Sequence, residues 1–221
     1  MDVDRAARLV EGPAPACWRG FKALGKAGDA RSLELLGKQL GSPDWTRRRA
    51  AATALASHRL AKGAVLDLRT ALADRSPYVV RAAAEAVAAV GDQASRPRLL
   101  ALMGDPDPST RATAVCALGA LWDSRDVGPL IRVAQTDSST EVRKQASWVL
   151  HEHAGSANWE ELFALWSTSG VPRERIWAME LAATFGGQTV GGLLQPFLTD
   201  TDGHVRRAAQ RLGGSHDIRQ R

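Results

Sequence analysis

The chain has 221 residues, enough to bury a substantial core in one or two domains. Its 29 basic residues outnumber 24 acidic ones, and the resulting formal charge of +5 biases it toward acidic partners without approaching a histone-like tail. Two cysteines, Cys17 and Cys116, exclude a disulfide framework. No apolar run reaches the roughly 18 residues of a membrane span, and MDVDRAARLVEG has neither the charged start nor the apolar middle of a signal peptide. A cytoplasmic protein with no membrane partner is therefore expected.

From about residue 14 two kinds of stretch alternate along the chain. One kind runs RGFKALG, RRAAATALA, RAAAEAVAA, RATAVCALG, RKQASWVLH, RIWAMELAA and RRAAQRLGG. Each has a basic residue, then small residues, then an aliphatic anchor: Leu24, Leu55, Val87, Leu118, Leu150, Leu181 and Leu212, spaced by 31 or 32 residues throughout. Between the anchors lie SLELLGKQL, AVLDLRTAL, RPRLLALM, VGPLIRVA, WEELFALW and VGGLLQPFL, so each repeat is predicted to be a pair of helices. Gly28-Asp29, Gly63, Gly91-Asp92 and Gly186-Gly187 break the chain inside repeats. Ser42-Pro43-Asp44, Ser76-Pro77 and Asp105-Pro106-Asp107-Pro108 break it between them. Asp44, Asp107 and Asp202, each four residues before an arginine, are expected at helix starts.

This pattern resembles the HEAT repeat, in its short form whose second helix reads roughly V-R-x-x-A-A-x-A-L-G. The resemblance covers about residues 14–213. It implies an all-α fold, an α-solenoid superhelix of about six to seven helix pairs, with the second helices on the concave side. The chain is expected to form one such domain over residues 1–221, with a polar capping repeat at the end and a frayed tail at 214–221. The resemblance also implies a ladder in which Arg48, Arg111 and Arg143 meet acids of adjacent turns.

Counting the helix start as zero and the anchor as seven, position three reads Gly20, Ala51, Ala83, Ala114, Ala146, Trp177 and Ala208. Residues this small are predicted to pack closely against neighbouring layers. Position one on the opposite face reads Trp18, Arg49, Arg81, Ala112, Lys144, Arg175 and Arg206, and position five reads Lys22, Thr53, Glu85, Cys116, Trp148, Met179 and Gln210. Position one is thus a candidate basic stripe. The stretch VRKQASWVLHEHA adds Trp148 and His151 beside Lys144, an interleaving of aromatic and cation that suits clamping a peptide or stacking on a base. Trp177, bulky in a row of small residues, is expected to alter local packing or to open a partner pocket with Trp148 and Met179.

Catalytic signals are sparse. His151, Glu152 and His153 are consecutive and diverge around the helix, so no metal site is expected; HEAT-like di-iron hydroxylases use several His-Glu pairs, and this chain has one. Ala146-Ser147-Trp148-Val149-Leu150 is similar to a short stretch of HEAT-like alkylpurine DNA glycosylases, which would make Glu85 the candidate catalytic carboxylate. Around it VVRAAAEAVAAV lacks the tryptophan that family keeps nearby. The alanine-rich repeat is also similar to HEAT-like bilin lyases and related adaptors. The sequence thus points to a non-enzymatic scaffold, without cofactor, that binds an acidic or extended protein partner through Arg49, Arg81, Lys144, Trp148, His151, Arg175, Met179 and Arg206. The alternative is a nucleic-acid binder using the same stripe, with glycosylase-like chemistry at Glu85.

Overall fold

The computed structural model describes residues 1–219, with side chains described for residues 1–214. The predicted tail at 214–221 extends beyond that range; α14 (Gly203–Arg219) is helical to its last described residue. The chain divides into two compact units, Met1–Asp123 and Ser124–Arg221.

In the first unit, α1 (Val3–Glu11) pairs with α2 (Ala16–Ala27), α3 (Ala30–Leu40) with α4 (Trp45–Ala56), α5 (Val65–Ala71) with α6 (Pro77–Val90), and α7 (Arg96–Leu102) with α8 (Pro108–Ala120). The second helices α2, α4, α6 and α8 pack side by side. In the second unit, α9 (Val127–Thr136) pairs with α10 (Thr140–Glu152), α11 (Trp159–Ser167) with α12 (Pro172–Phe185), and the short α13 (Val190–Leu194) with α14. All regular structure among the described residues is helical, and the stacked helix pairs are those of an α-solenoid.

The predicted breakers act where the chain must turn. Gly28, Gly91 and Gly187 all have positive φ, a conformation that costs glycine least. Asp44 and Asp107 cap α4 and α8 by accepting backbone N–H groups, and Asp202 accepts from His204 and Val205 at the start of α14. The row of small residues is buried: Ala51, Ala83, Ala114 and Ala146 are inaccessible to solvent, and Ala208 nearly so. At Gly20 an added Cβ would lie 2.8 Å from the Ala6 carbonyl oxygen, and at Gly25 2.8 Å from that of Ala54, so only glycine admits these approaches of α2 to α1 and to α4.

The turns before α4, α8, α10, α12 and α14 are each held by an arginine. Residues Ser42, Asp74, Asp105, Asp137, Ser169 and Asp200 stand two positions before a helix cap and accept the cap's backbone N–H on a side-chain oxygen. An arginine in the first turn of the helix then donates Nη1 to the carbonyl of that same residue: Arg48 to Ser42 at 2.8 Å, Arg111 to Asp105 at 2.9 Å, and Arg143 to Asp137, Arg175 to Ser169 and Arg206 to Asp200 each at 2.6 Å. Two of these arginines also reach the next repeat. Arg48 grips the Asp74 carboxylate at 2.6 and 2.9 Å, and Arg175 grips Asp200 at 2.8 and 2.9 Å. The guanidinium hydrogen bonds hold both carboxyls below their usual range. The predicted contact with an acid of the adjacent turn is present at Arg48 and also at Arg175, whereas Arg111, Arg143 and Arg206 are bonded to backbone carbonyls of their own turns.

His58 carries a second buried polar link. Its Nδ1 accepts the Leu60 N–H at 3.1 Å, which places the proton on Nε2, 2.9 Å from the Ser32 hydroxyl. Ser32 in turn forms a capping box with Asp29 at the start of α3.

Two outcomes are expected in urea unfolding. Arg48→Ala should cost about 3 kcal/mol, because it strands a largely buried carboxylate, whereas Arg49→Ala should stay within about 0.5 kcal/mol. Burial pushes the His58 imidazole below its ordinary value, so the unfolded chain binds the extra proton more readily. The His58 contribution is then complete above the unfolded pKa near 6.5 and is lost as pH falls through the lower folded value. His58→Asn, which keeps an acceptor for Leu60, should flatten that part of the stability profile between pH 7.5 and 5.

Candidate functional site

Three members of the predicted stripe are not free. Arg175 and Arg206 hold turns as described, and Arg81 donates to Asp107 at 2.6 Å with its guanidinium 4.8 Å from the centre of the Tyr78 ring. The reason lies in the register. Arg81, Arg175 and Arg206 precede their anchors by six residues, whereas Arg48, Arg111 and Arg143 precede theirs by seven. Counting back from the anchor assigns the first three to the outer face, yet the long side chains of Arg175 and Arg206 absorb the one-residue slip and still reach their turns, and Arg81 reaches the Asp107 carboxylate of the next one.

Met179 also departs from expectation. It is 0% exposed in the core of the second unit with Val190, Leu194, Phe197, Val205, Ala208 and Ala209, so it offers nothing to a partner. His151 does not stand beside Trp148 as a free imidazole. Its ring stacks on Trp177 with centroids 4.2 Å apart, and Trp166 meets Trp177 edge-on at 5.4 Å. Burial pushes the His151 imidazole below its ordinary range. This aromatic cluster stands where the other repeats have a small residue in the row. Trp177 thus alters the packing, as its size predicts, without forming a pocket with Met179. The indole N–H groups of Trp166 and Trp177 meet no protein acceptor.

Trp148 is 50% exposed and Lys144, one turn earlier on α10, is exposed too. Lys144 borders a recess of about 260 Å³ whose rim includes Arg143 and Glu174, so its charge is not alone there. Glu85 is exposed on α6. Desolvation of the sulfur, and secondly the charge of Glu85, push the Cys116 thiol up, which disfavours a nucleophilic thiolate. Among the described residues no group of His, Cys, Asp or Glu is arranged to hold a metal ion, and no helix is long and apolar enough to cross a membrane.

Arg49 leads to a different place. It stands on the wall of a cavity of about 560 Å³ between α2 and α4, lined by Trp18, Phe21, Lys22, Lys26, Ala50, Thr53, Ala54 and Ser57. Phe21, Ala50 and Ala54 are buried and form an apolar floor, while Trp18, 42% exposed, makes one side. Lys22, Lys26 and Arg49 supply three positive charges, and no carboxylate lines the cavity. Arg19 adds a fourth exposed cation on the same side of α2. One turn before Arg49 on α4, Trp45 is partly exposed and stacks on Tyr78 of α6 at 4.9 Å. Among the predicted site residues of the first unit, Arg49 alone belongs to this cavity.

Trp18 and Lys22 fall in the outward rows of the sequence without standing out from them, and Lys26 lies outside those rows. A signal was available. The first repeat has Cys17 where three later ones have the turn-holding Arg48, Arg111 and Arg143, and RGFKALGKA contains no acid, so its cations have nothing local to pair with.

Residues 65–151 match the family model for HEAT repeats. No curated protein matches the chain. Among solved structures, it is similar to the complex of CpcE and CpcF of phycocyanin lyase from Nostoc sp. PCC7120, with 16% identity over 98% of this chain and 95% of that one and a TM-score of 0.60. It is similar to an archaeal HEAT-like repeats protein from Thermococcus onnurineus NA1, with 15% identity over 99% and 98% of the two chains and a TM-score of 0.60. A designed armadillo repeat protein in complex with the peptide (KR)4 aligns at 17% identity over 98% and 100%, with a TM-score of 0.54. The chain has the α-solenoid fold that these repeat proteins share.

The different placements of Met179 and Trp148 are separable by mutation. Met179→Ala should lower the unfolding free energy by about 2–5 kcal/mol. Trp148→Ala, on the surface, should change the urea midpoint by no more than the equivalent of about 0.5 kcal/mol.

Proposed function

We propose that this chain is a non-catalytic, cytoplasmic protein-binding scaffold, and that its first unit holds an acidic, extended segment of a partner protein against α2 and α4. The observation that carries this reading is the cavity between those helices, with its three cations, its tryptophan wall and its lack of any lining carboxylate. Charges so placed steer an oppositely charged partner and fix its orientation. A designed armadillo protein of this fold holds a basic peptide. Here the free charge is positive, so the complementary partner is acidic. Lys144 and Trp148 offer a further point of contact on α10, an aromatic anchor beside a cation. Both cysteines are free, which fits a reducing compartment.

The nucleic-acid alternative requires cations that follow a phosphate backbone. Arg81, Arg175 and Arg206 are committed to turns and carboxylates, which leaves a local basic cluster and favours a protein partner. Fluorescence anisotropy with labelled heptaglutamate, heptalysine and a thymidine 20-mer tests the choice. Heptaglutamate should bind, heptalysine should not, and the double variant Lys22→Glu, Arg49→Glu should weaken heptaglutamate binding at least tenfold. Tighter binding of the oligonucleotide at physiological salt, with a salt slope that falls by about one for each cation removed, would replace this reading with the nucleic-acid one.

A further inference from the structure

The cavity between α2 and α4 is larger than charge pairing alone needs, and its interior is not polar. Phe21, Ala50 and Ala54 form its floor, and Trp18 presents a ring to its side. The two helices approach closely at Gly25 and Ala54: an added Cβ on Gly25 would lie 2.8 Å from the Ala54 carbonyl oxygen and 3.3 Å from its Cα. Small residues then keep the space open. Ala50, Thr53, Ala54 and Ser57 face it from α4, where side chains of leucine size would fill it. At about 560 Å³ the space falls in the range of roughly 300–1,000 Å³ typical of sites that enclose a ligand. Lys22 and Lys26 are one turn apart on α2, about 6 Å at the Cβ atoms, and Arg49 stands on the α4 side. The positive charges therefore border the apolar interior from both helices.

We infer that this cavity takes one large apolar side chain, leucine-sized or aromatic, from a partner segment whose flanking residues on both sides are acidic. The inference rests on the proposed acidic partner and specifies it: carboxylates bring the segment to the rim, and the apolar anchor selects among acidic segments. Burying such a side chain against Trp18, Phe21 and Ala54 sets the size of the selection. Full burial of a leucine or phenylalanine corresponds to roughly a tenfold to hundredfold gain in affinity.

The test uses the full chain and two labelled peptides that differ at one residue, EEELEEE and EEESEEE, in anisotropy titrations at fixed salt. The leucine peptide should bind the wild type about ten- to a hundredfold more tightly than the serine peptide. Trp18→Ala, which removes the wall, and Thr53→Trp, which fills the space from an exposed position, should each bring that ratio close to one, and circular dichroism identifies any variant that fails to fold. Lys22→Glu should weaken both peptides and preserve the ratio. Equal binding of both peptides by the wild type overturns the apolar anchor and leaves the acidic partner standing. A leucine preference that survives both Trp18→Ala and Thr53→Trp also overturns this site, by placing the anchor elsewhere. Binding of neither peptide overturns both readings.

Discussion

The fold depends on one recurrent arrangement: an arginine in the first turn of a second helix bonded to the carbonyl that begins its own interhelical turn. A turn of this kind leaves polar backbone groups close to a packed core, and an unpaired buried carbonyl is costly. The guanidinium answers that need from a position fixed by the helix. Because it has five donors in a planar fork, Arg48 and Arg175 satisfy the carbonyl and still grip a carboxylate one repeat further on. The same side chain thus sets the geometry within a repeat and the distance to the next one. Lysine, with a single compact charge, would not serve both ends.

The architecture was legible in the sequence because its causes are local and repeated. The even spacing of anchors, the caps at Asp44, Asp107 and Asp202, and the glycines at Gly28, Gly91 and Gly187 each do one task in one place. The row of small residues was legible for the same reason, and Trp177 stood out as the exception. What could not be read was where the exception would go. His151 and Trp166 accept the Trp177 ring from helices α10 and α11, and that meeting depends on tertiary placement rather than on spacing.

The binding surface was harder to read because a basic residue on a periodic row says nothing about its partner. Arg49 and Arg81 share a row in the sequence, yet one is free on the rim of a cavity and the other is bonded to Asp107 and lies over Tyr78. Both stand six residues before their anchors; they differ in the residue before them, since Arg48 already holds the turn and the next carboxylate beside Arg49, whereas Val80 leaves that task to Arg81. The cavity depends on two adjacent second helices at once: the tryptophan and lysines of α2 matter only because α4 sets alanine, threonine and serine opposite them.

The turn-holding arginines also divide the surface into residues that can change and residues that cannot. Arg48, Arg111, Arg143, Arg175 and Arg206 are tied to backbone atoms that every variant of the fold retains, so their loss is felt whatever the protein binds. Trp18, Lys22, Lys26, Arg49 and Thr53 bear on no turn. Substitutions among them leave the turn bonds intact. A lineage built on such repeats can therefore acquire a new cargo by drift on one exposed helix face while the clamps stay under purifying selection.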